Sequence, residues 1–268
     1  HKNDKIRSNI SILAICQASN VSSFSLFFDV IDTWYKKSVL FYRGENMTDA
    51  IIVSGGSGST KLLKHFLDSY NNDLILIAAD RGLSYLTDIG VIPDYIVGDF
   101  DSAGEELLKY AMKLESDGVS KLTRLNPIKD DTDTESALNI AFRECDGDIY
   151  ILFGTGNRLD HVISNIQILK QGLIHNRNVY LIDSNNKIRV IDPRHPITIE
   201  KSKQYGDFIS VFPLSGTVTG LNLDGFCYPL KNAVLESGIS LGQSNEISSD
   251  HGSISVSSGE LIVVESRD

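Results

Sequence analysis

Carboxylates dominate the residues of this chain whose types and spacing could do chemistry. Asp99 and Asp101 stand two apart. On an extended backbone, side chains two apart face the same way, so both could reach one cation. Magnesium takes hard oxygen ligands and keeps several waters, which leaves room in its shell for nucleotide phosphates. A structural reading competes: Ser102 and Glu105 fit a capping box, and Asp101 would then only polarise a helix start. Asp130, Asp131 and Asp133 crowd three carboxylates into four positions beside Lys129. Such like charges repel unless a cation or solvent relieves them. The alternative there is a solvated helix start with Thr132 and Glu135 as its capping pair.

Two further clusters carry glycine. Gly55-Gly56-Ser57-Gly58 would let the backbone approach a phosphate, with free N–H groups offered by a following helix. Its spacing matches neither the P-loop nor the dinucleotide fingerprint, and an ordinary strand-to-helix turn explains it as well. Gly154-Thr155-Gly156-Asn157-Arg158-Leu159-Asp160-His161 joins a turn, a cation and an anion. Arg158 could hold a phosphate with its planar fork. Asp160 could cap the next helix, orient a substrate or accept a proton. No serine or cysteine sits in a recognisable nucleophile elbow.

These clusters need a scaffold, and the pattern from residue 50 onward supplies one. Apolar runs at 51–54, 74–79, 95–98, 121–125, 149–153 and 179–182 read as strands. Helical stretches at 60–70, 83–89, 103–115, 134–145 and 161–171 separate them. Strands alternating with helices predict a Rossmann-like α/β parallel sheet. Ligands of such sheets sit beyond the carboxyl ends of the strands. Asp80, Asp99 with Asp101, and both glycine loops fall there, while the Asp130–Asp133 run precedes a helix. After Asp192 helical periodicity gives way to short runs rich in Val, Ile, Ser, Thr and Gly. This predicts an all-β sandwich over 193–268, with a hairpin across 252–264 turning at Ser258-Gly259.

The bulk properties fit a soluble enzyme. A net charge of -10 argues against nucleic acid as a partner, since phosphate backbones want basic patches. A divalent ion would still allow an acidic protein to hold a phosphorylated ligand. Three scattered cysteines suggest neither a disulfide framework nor a zinc site, so a reducing, cytoplasmic setting is the expectation. No apolar run is long enough to cross a membrane. The chain begins at His1, and its methionines are Met47 and Met112. We expect the catalytic part, 47–192, to start near Met47, with residues 1–46 an upstream extension or an artefact.

Taken in order, four motifs resemble the thiamine pyrophosphokinase family: Asp80-Arg81-Gly82-Leu83, Pro93-Asp94-Tyr95-Ile96-Val97-Gly98-Asp99-Phe100-Asp101-Ser102, Lys129-Asp130-Asp131-Thr132-Asp133 and Gly156-Asn157-Arg158-Leu159-Asp160-His161. The likeness extends through Gly220-Leu221, Tyr228-Pro229-Leu230 and Gly242-Gln243-Ser244-Asn245. It implies magnesium-dependent transfer of a pyrophosphoryl group from ATP to the hydroxyl of thiamine, giving thiamine diphosphate and AMP. It implies a homodimer whose sites lie between the α/β part of one subunit and the β-rich part of the other. By motif position Asp99, Asp101 and Asp133 would hold magnesium, and Asp80 would shape the same acidic site. Lys129 and Arg158 would contact phosphates, Asp160 the thiamine aminopyrimidine, and Ser244 and Asn245 would lie near the thiamine pocket. Gly55, Gly56 and Thr132 complete the expected ATP site. Two departures stand out: Arg81 replaces a second glycine common in the family, and the one tryptophan, Trp34, lies outside the β-rich part. A pterin-alcohol diphosphokinase, a sugar-nucleotide transferase and a non-catalytic thiamine or nucleotide sensor are the competing functions.

Overall fold

The computed structural model describes residues 47–70, 73–101, 103–126 and 131–268. Its first half alternates as the sequence predicts: β1 (Asp49–Val53), α1 (Thr60–Asp68), β2 (Leu74–Ala79), α2 (Gly82–Asp88), β3 (Tyr95–Gly98), α3 (Glu105–Ser116), β4 (Lys121–Arg124), α4 (Asp133–Glu144), β5 (Ile149–Leu152), α5 (Leu159–Ile168), α6 (Lys170–Ile174) and β6 (Val179–Ile182). The helix expected over 161–171 is instead two helices meeting at Leu169. Six strands run in the order β4-β3-β2-β1-β5-β6, and all their pairings are parallel. Strand direction of growth reverses between β1 and β5. Such a reversal opens a crevice at the strand carboxyl ends, where ligands of these sheets bind.

Alternation along each strand builds a core on both faces. Ala50 and Ile52 of β1 pack with Ile77, Val97, Ala137, Leu138 and Ala141 on one side. Ile51 and Val53 pack with Leu63, Ala78, Leu83, Ile96 and Leu114 on the other. The apolar stripe of α4 (Ala137, Leu138, Ile140, Ala141) recurs at helical spacing and seats that helix on β1, β2 and β3. The edge strand β4 reads Lys-Leu-Thr-Arg and is largely exposed, as a charged edge should be.

The remaining strands are β7 (Asn186–Ile191), β8 (Ile197–Glu200), β9 (Phe208–Asp224), β10 (Leu230–Leu235), β11 (His251–Ser255) and β12 (Ser258–Ser266). Strands β6 and β7 pair antiparallel, and β12 pairs antiparallel with both β7 and β9. The hydrogen-bonded path therefore continues from the parallel sheet into the β-rich part. Strand β9 is 17 residues long where the sequence suggests separate short strands. Its first part pairs with β12, and its last residues pair with β10 and β11. The hairpin expected across 252–264 does not form, because β9 lies between β11 and β12 in the sheet order. The pleat alternation of β11 and β12 is real, but each finds its partner far away in sequence. A third apolar cluster, including Val211, Val218, Leu221, Leu235, Ile254 and Val263, draws on β9, β10, β11 and β12 and forms the core of the β-rich part.

Candidate active site

Asp80 follows β2 directly and adopts φ +48°, with its N–H donated to Val97 O at 2.7 Å. A Cβ on Gly98 would lie 3.1 Å from the Asp80 Cα, so glycine there lets the Asp80 turn press against the end of β3. Asp99 follows β3, and Asp133 is the first residue of α4. One carboxylate oxygen from each of Asp80, Asp99 and Asp133 lies within 4.8 Å of the other two, and all three residues are half-buried. Three elements distant in sequence thus deliver three hard oxygen donors to one point. That set suits a small divalent cation that keeps water and takes phosphate oxygens besides.

Asp101 is not part of this trio. The expectation that Asp99 and Asp101 face one way assumes extended backbone, but β3 ends at Gly98 and Phe100 takes φ +59°. Phe100 turns into the core beneath the sheet edge, at 5% exposure, while Asp101 is exposed and donates its N–H to Asp99 Oδ1 at 3.1 Å. The helix start differs too: α3 begins at Glu105 behind Gly104, and Ser102 lies outside the described residues. The Thr132 cap is as read from sequence, its Oγ1 accepting the Glu135 N–H at 3.1 Å. The Glu135 side chain does not close the box; it accepts from Gln171 Nε2 at 2.7 Å instead.

Beside the trio opens a cleft of about 720 Å³ between the loops that follow β1 and β5, at the point where strand growth reverses. Asp80, Asp133, Thr132, Arg158 and Asp160 all line it, as do Gly55 and Gly56. The glycine loop does something other than offer free amides. Gly56 N–H donates to Phe153 O and Ser57 N–H to Thr155 O, both at 2.9 Å, lacing the two loops together. Tyr85 Oη donates to Gly56 O at 2.8 Å, and Asn165 Nδ2 to Gly154 O at 2.6 Å. Thr155 Oγ1 reaches Asp183 Oδ2 at 2.8 Å, tying the second loop to the end of β6. Sequence reasoning missed Ser54, Tyr85, Thr134 and Asn165 as wall residues. Only Ser54, next to a strand end, had a positional signal; the others sit on helices and carry none. Arg81 also lines the cleft, and its Cβ lies 3.0 Å from where a Cβ on Gly55 would be.

Arg158 and Asp160 meet at the cleft mouth. The guanidinium spans both carboxylate oxygens, Nε to Oδ1 at 3.3 Å and Nη2 to Oδ2 at 2.6 Å, with side chains 71% and 64% exposed. This hydrogen bonding with Arg158 pulls the Asp160 carboxyl down to about 2. A lowered value means the charged form is favoured, so the pair persists from neutral pH down and is lost as pH falls through about 2. Replacing Arg158 with methionine should raise the Asp160 titration into the ordinary carboxylate range, which carboxyl carbon NMR would follow. An unmoved titration would mean that the pair does not form in solution.

Lys129 lies outside the described residues. Ser244 and Asn245 are in the β-rich part and do not line this cleft. Asn245 is 1% exposed, and its amide bridges backbone: Nδ2 donates to Tyr228 O at 2.7 Å while Oδ1 accepts from Tyr228 N at 3.0 Å and Glu246 N at 2.9 Å. It holds the chain that presents Tyr228, a residue 71% exposed. Asn245→Ala should lower unfolding free energy by about 2–3 kcal/mol by stranding those backbone groups. A urea unfolding midpoint within error of the parent would contradict that role.

Fold and cleft together define a doubly wound α/β protein with an acidic cleft at its switch point and a β-rich C-terminal part. Residues 66–181 match the family model described as thiamin pyrophosphokinase, catalytic domain, and residues 194–263 match the vitamin B1 binding domain of the same family. A thiamine pyrophosphokinase of Bacillus subtilis (strain 168) is 37% identical over 220 residues, covering 81% of this chain and 98% of that protein. The crystal structure of a Bacillus subtilis thiamine pyrophosphokinase superposes with TM-score 0.71 at 32% identity, over 82% of this chain and 99% of the other. That of thiamin pyrophosphokinase from Geobacillus thermodenitrificans gives 0.70 at 29% identity, over 83% and 98%. The chain belongs to the thiamine pyrophosphokinase family, a family of diphosphotransferases.

Proposed function

We propose that this enzyme transfers the terminal pyrophosphoryl group of ATP to the hydroxyl of thiamine, forming thiamine diphosphate and AMP, with magnesium as the required ion. The observation that carries the reading is the convergence of Asp80, Asp99 and Asp133 beside the switch-point cleft. The donor is a polyanion and the protein carries a net charge of -10, so the two require a cation between them. Bound there, magnesium would neutralise donor phosphates and withdraw charge from the phosphorus under attack. The chain's own part is positioning and charge placement, as in phosphoryl transfer generally. Asp80, Asp99 and Asp133 would hold the ion, and Asp101, exposed beside Asp99, would act on the reacting groups rather than on the ion. Arg158 and Lys129 bind phosphate oxygens, and Thr132 and the Gly55–Gly56 loop shape the pocket around them. Asp160, released from Arg158 as the phosphates arrive, takes the aminopyrimidine. The proton of the attacking hydroxyl passes to a carboxylate, for which Asp133 and Asp101 are the candidates.

The β-rich part supplies the rest of the thiamine site from a second copy. Ser244 and Asn245 lie away from the cleft of their own chain, and exposed apolar residues Phe212, Tyr228, Val234, Ile239 and Leu241 are available on that part. No helix among the described residues is long and apolar enough to cross a membrane. With Cys145 and Cys227 both free thiols, the cytoplasm is the working compartment we infer. The test is formation of AMP from ATP with purified protein. Production that requires both thiamine and a divalent ion is the expected result. Production with a hydroxymethylpterin in place of thiamine, or tight thiamine binding without turnover, would replace this reading with a pterin kinase or a sensor.

A further inference from the structure

Hydroxyls hold the first turn of α4 on both sides of Asp133. Thr132 Oγ1 caps the helix through the Glu135 N–H. On the other side, Thr134 Oγ1 lies 3.0 Å from Ser54 Oγ, a bond between residues 80 apart in sequence. Both partners are buried, Ser54 at 2% and Thr134 at 9% exposure. Ser54 comes immediately after β1, and its N–H donates to Leu152 O of β5 at 2.9 Å. Its backbone is therefore tied to both strands that flank the switch point.

A buried hydroxyl pair is a weak choice if only stability is at stake. A net contribution of about 1 kcal/mol is typical, and apolar replacement of both partners can be nearly neutral. What the pair adds is a set direction and separation between a strand end and a helix start. Those quantities matter here because Asp133 is drawn to within 4.8 Å of Asp80 and Asp99. Three like charges at that range push one another apart. Asp80 and Asp99 directly follow strand ends, whereas Asp133 rides on a helix whose packing on the sheet is mainly apolar. The hydroxyl bond falls at the residue next to Asp133, where it opposes displacement of that carboxylate by its neighbours' charge.

We propose that the Ser54–Thr134 hydroxyl pair is a positioning device that fixes Asp133 in the acidic trio and thereby sets the affinity of the trio for its divalent cation. The inference rests on reading the trio as a cation site. Manganese binding to the metal-free full chain, without nucleotide or thiamine, tests it by electron paramagnetic resonance and calorimetry. The proteins are wild type, Thr134→Val, Thr134→Ser, Ser54→Ala and Asp99→Asn, each held well below its melting temperature. Wild type binds, Asp99→Asn loses binding, and Thr134→Val and Ser54→Ala weaken it by about tenfold, the scale seen when partners of metal ligands are removed. Thr134→Ser keeps the hydroxyl and restores the wild-type affinity. Unchanged affinity in folded Thr134→Val or Ser54→Ala overturns the proposal, as does a Thr134→Ser protein no better than the valine variant. If Thr134→Val does not fold, Ser54→Ala removes the same bond from the sheet side and decides alone. A wild type that binds no manganese overturns the cation reading itself, an outcome distinct from the others.

Discussion

Asp99→Asn lowers turnover by roughly a hundredfold or more while the protein stays folded. The size follows from removing a fixed charge where a cation and a polyanionic donor must meet, in a site that partly excludes water. Asn is the informative replacement because it isolates charge. The hydrogen bond that Asp99 Oδ1 accepts from the Asp101 N–H can be accepted equally by an amide oxygen. Removing one of three crowded carboxylates also relieves repulsion, so stability of the metal-free protein should hold or rise slightly. Asp133→Asn would be less clean, since an anion at the first helical position also favours the helix. Asp101→Asn serves as the contrast: turnover falls by more than about tenfold, yet manganese binding without nucleotide stays at the wild-type level, because Asp101 lies outside the trio. Steady-state kinetics, circular dichroism melting and manganese titration check both variants. Asp99→Asn with near-normal turnover would remove the trio from the chemistry.

Gly56→Ala is the second large effect, and it works through backbone. A Cβ at position 56 would lie 2.2 Å from Thr155 O and 2.3 Å from Phe153 O. Neither neighbour is a flexible side-chain tip. Both carbonyls accept from the β1 loop, Phe153 O from Gly56 N and Thr155 O from Ser57 N, so relief of the clash breaks those bonds. Phe153 cannot yield easily, being fully buried at φ +59° with its ring 4.8 Å from Tyr85. Overpacking of this kind costs about 3 kcal/mol. In a chain of this size that lowers the melting temperature by roughly 6–12 °C. The opened cleft should also lose activity by more than about tenfold at temperatures where the variant is still folded. Thermal melting and the AMP assay measure the two effects separately. A variant with wild-type melting would show that the two loops are not laced as described.

The parallel half of the fold was legible because its signals are local. The apolar runs of β1, β5 and β6 are buried throughout or nearly so, and they read as central strands without any knowledge of their neighbours. The cap at Thr132 was legible for the same reason, since it involves residues three apart. The β-rich half was harder. Period-two alternation marks a strand but names no partner, so β11 and β12 looked like a hairpin while β9 in fact separates them. At the site, Asp80, Asp99 and Asp133 were each visible as polar residues bordering an element. Asp101 was given a direction from an extended backbone that the left-handed turn at Phe100 does not supply.

The amino-acid sequence alone determined the family, the alternation of strands and helices, and the acidic character of the candidate site, because composition, periodicity and ordered motifs are properties of neighbouring residues. Tertiary structure decided which carboxylates share a point, why Gly56 is glycine, and what Asn245 and Ser54 hold. Those facts depend on contacts such as Ser54 to Thr134 and Gly56 to Phe153, between residues 80 and 97 positions apart. Distances of a few ångströms between such residues are set by how whole elements pack, and no local pattern encodes them.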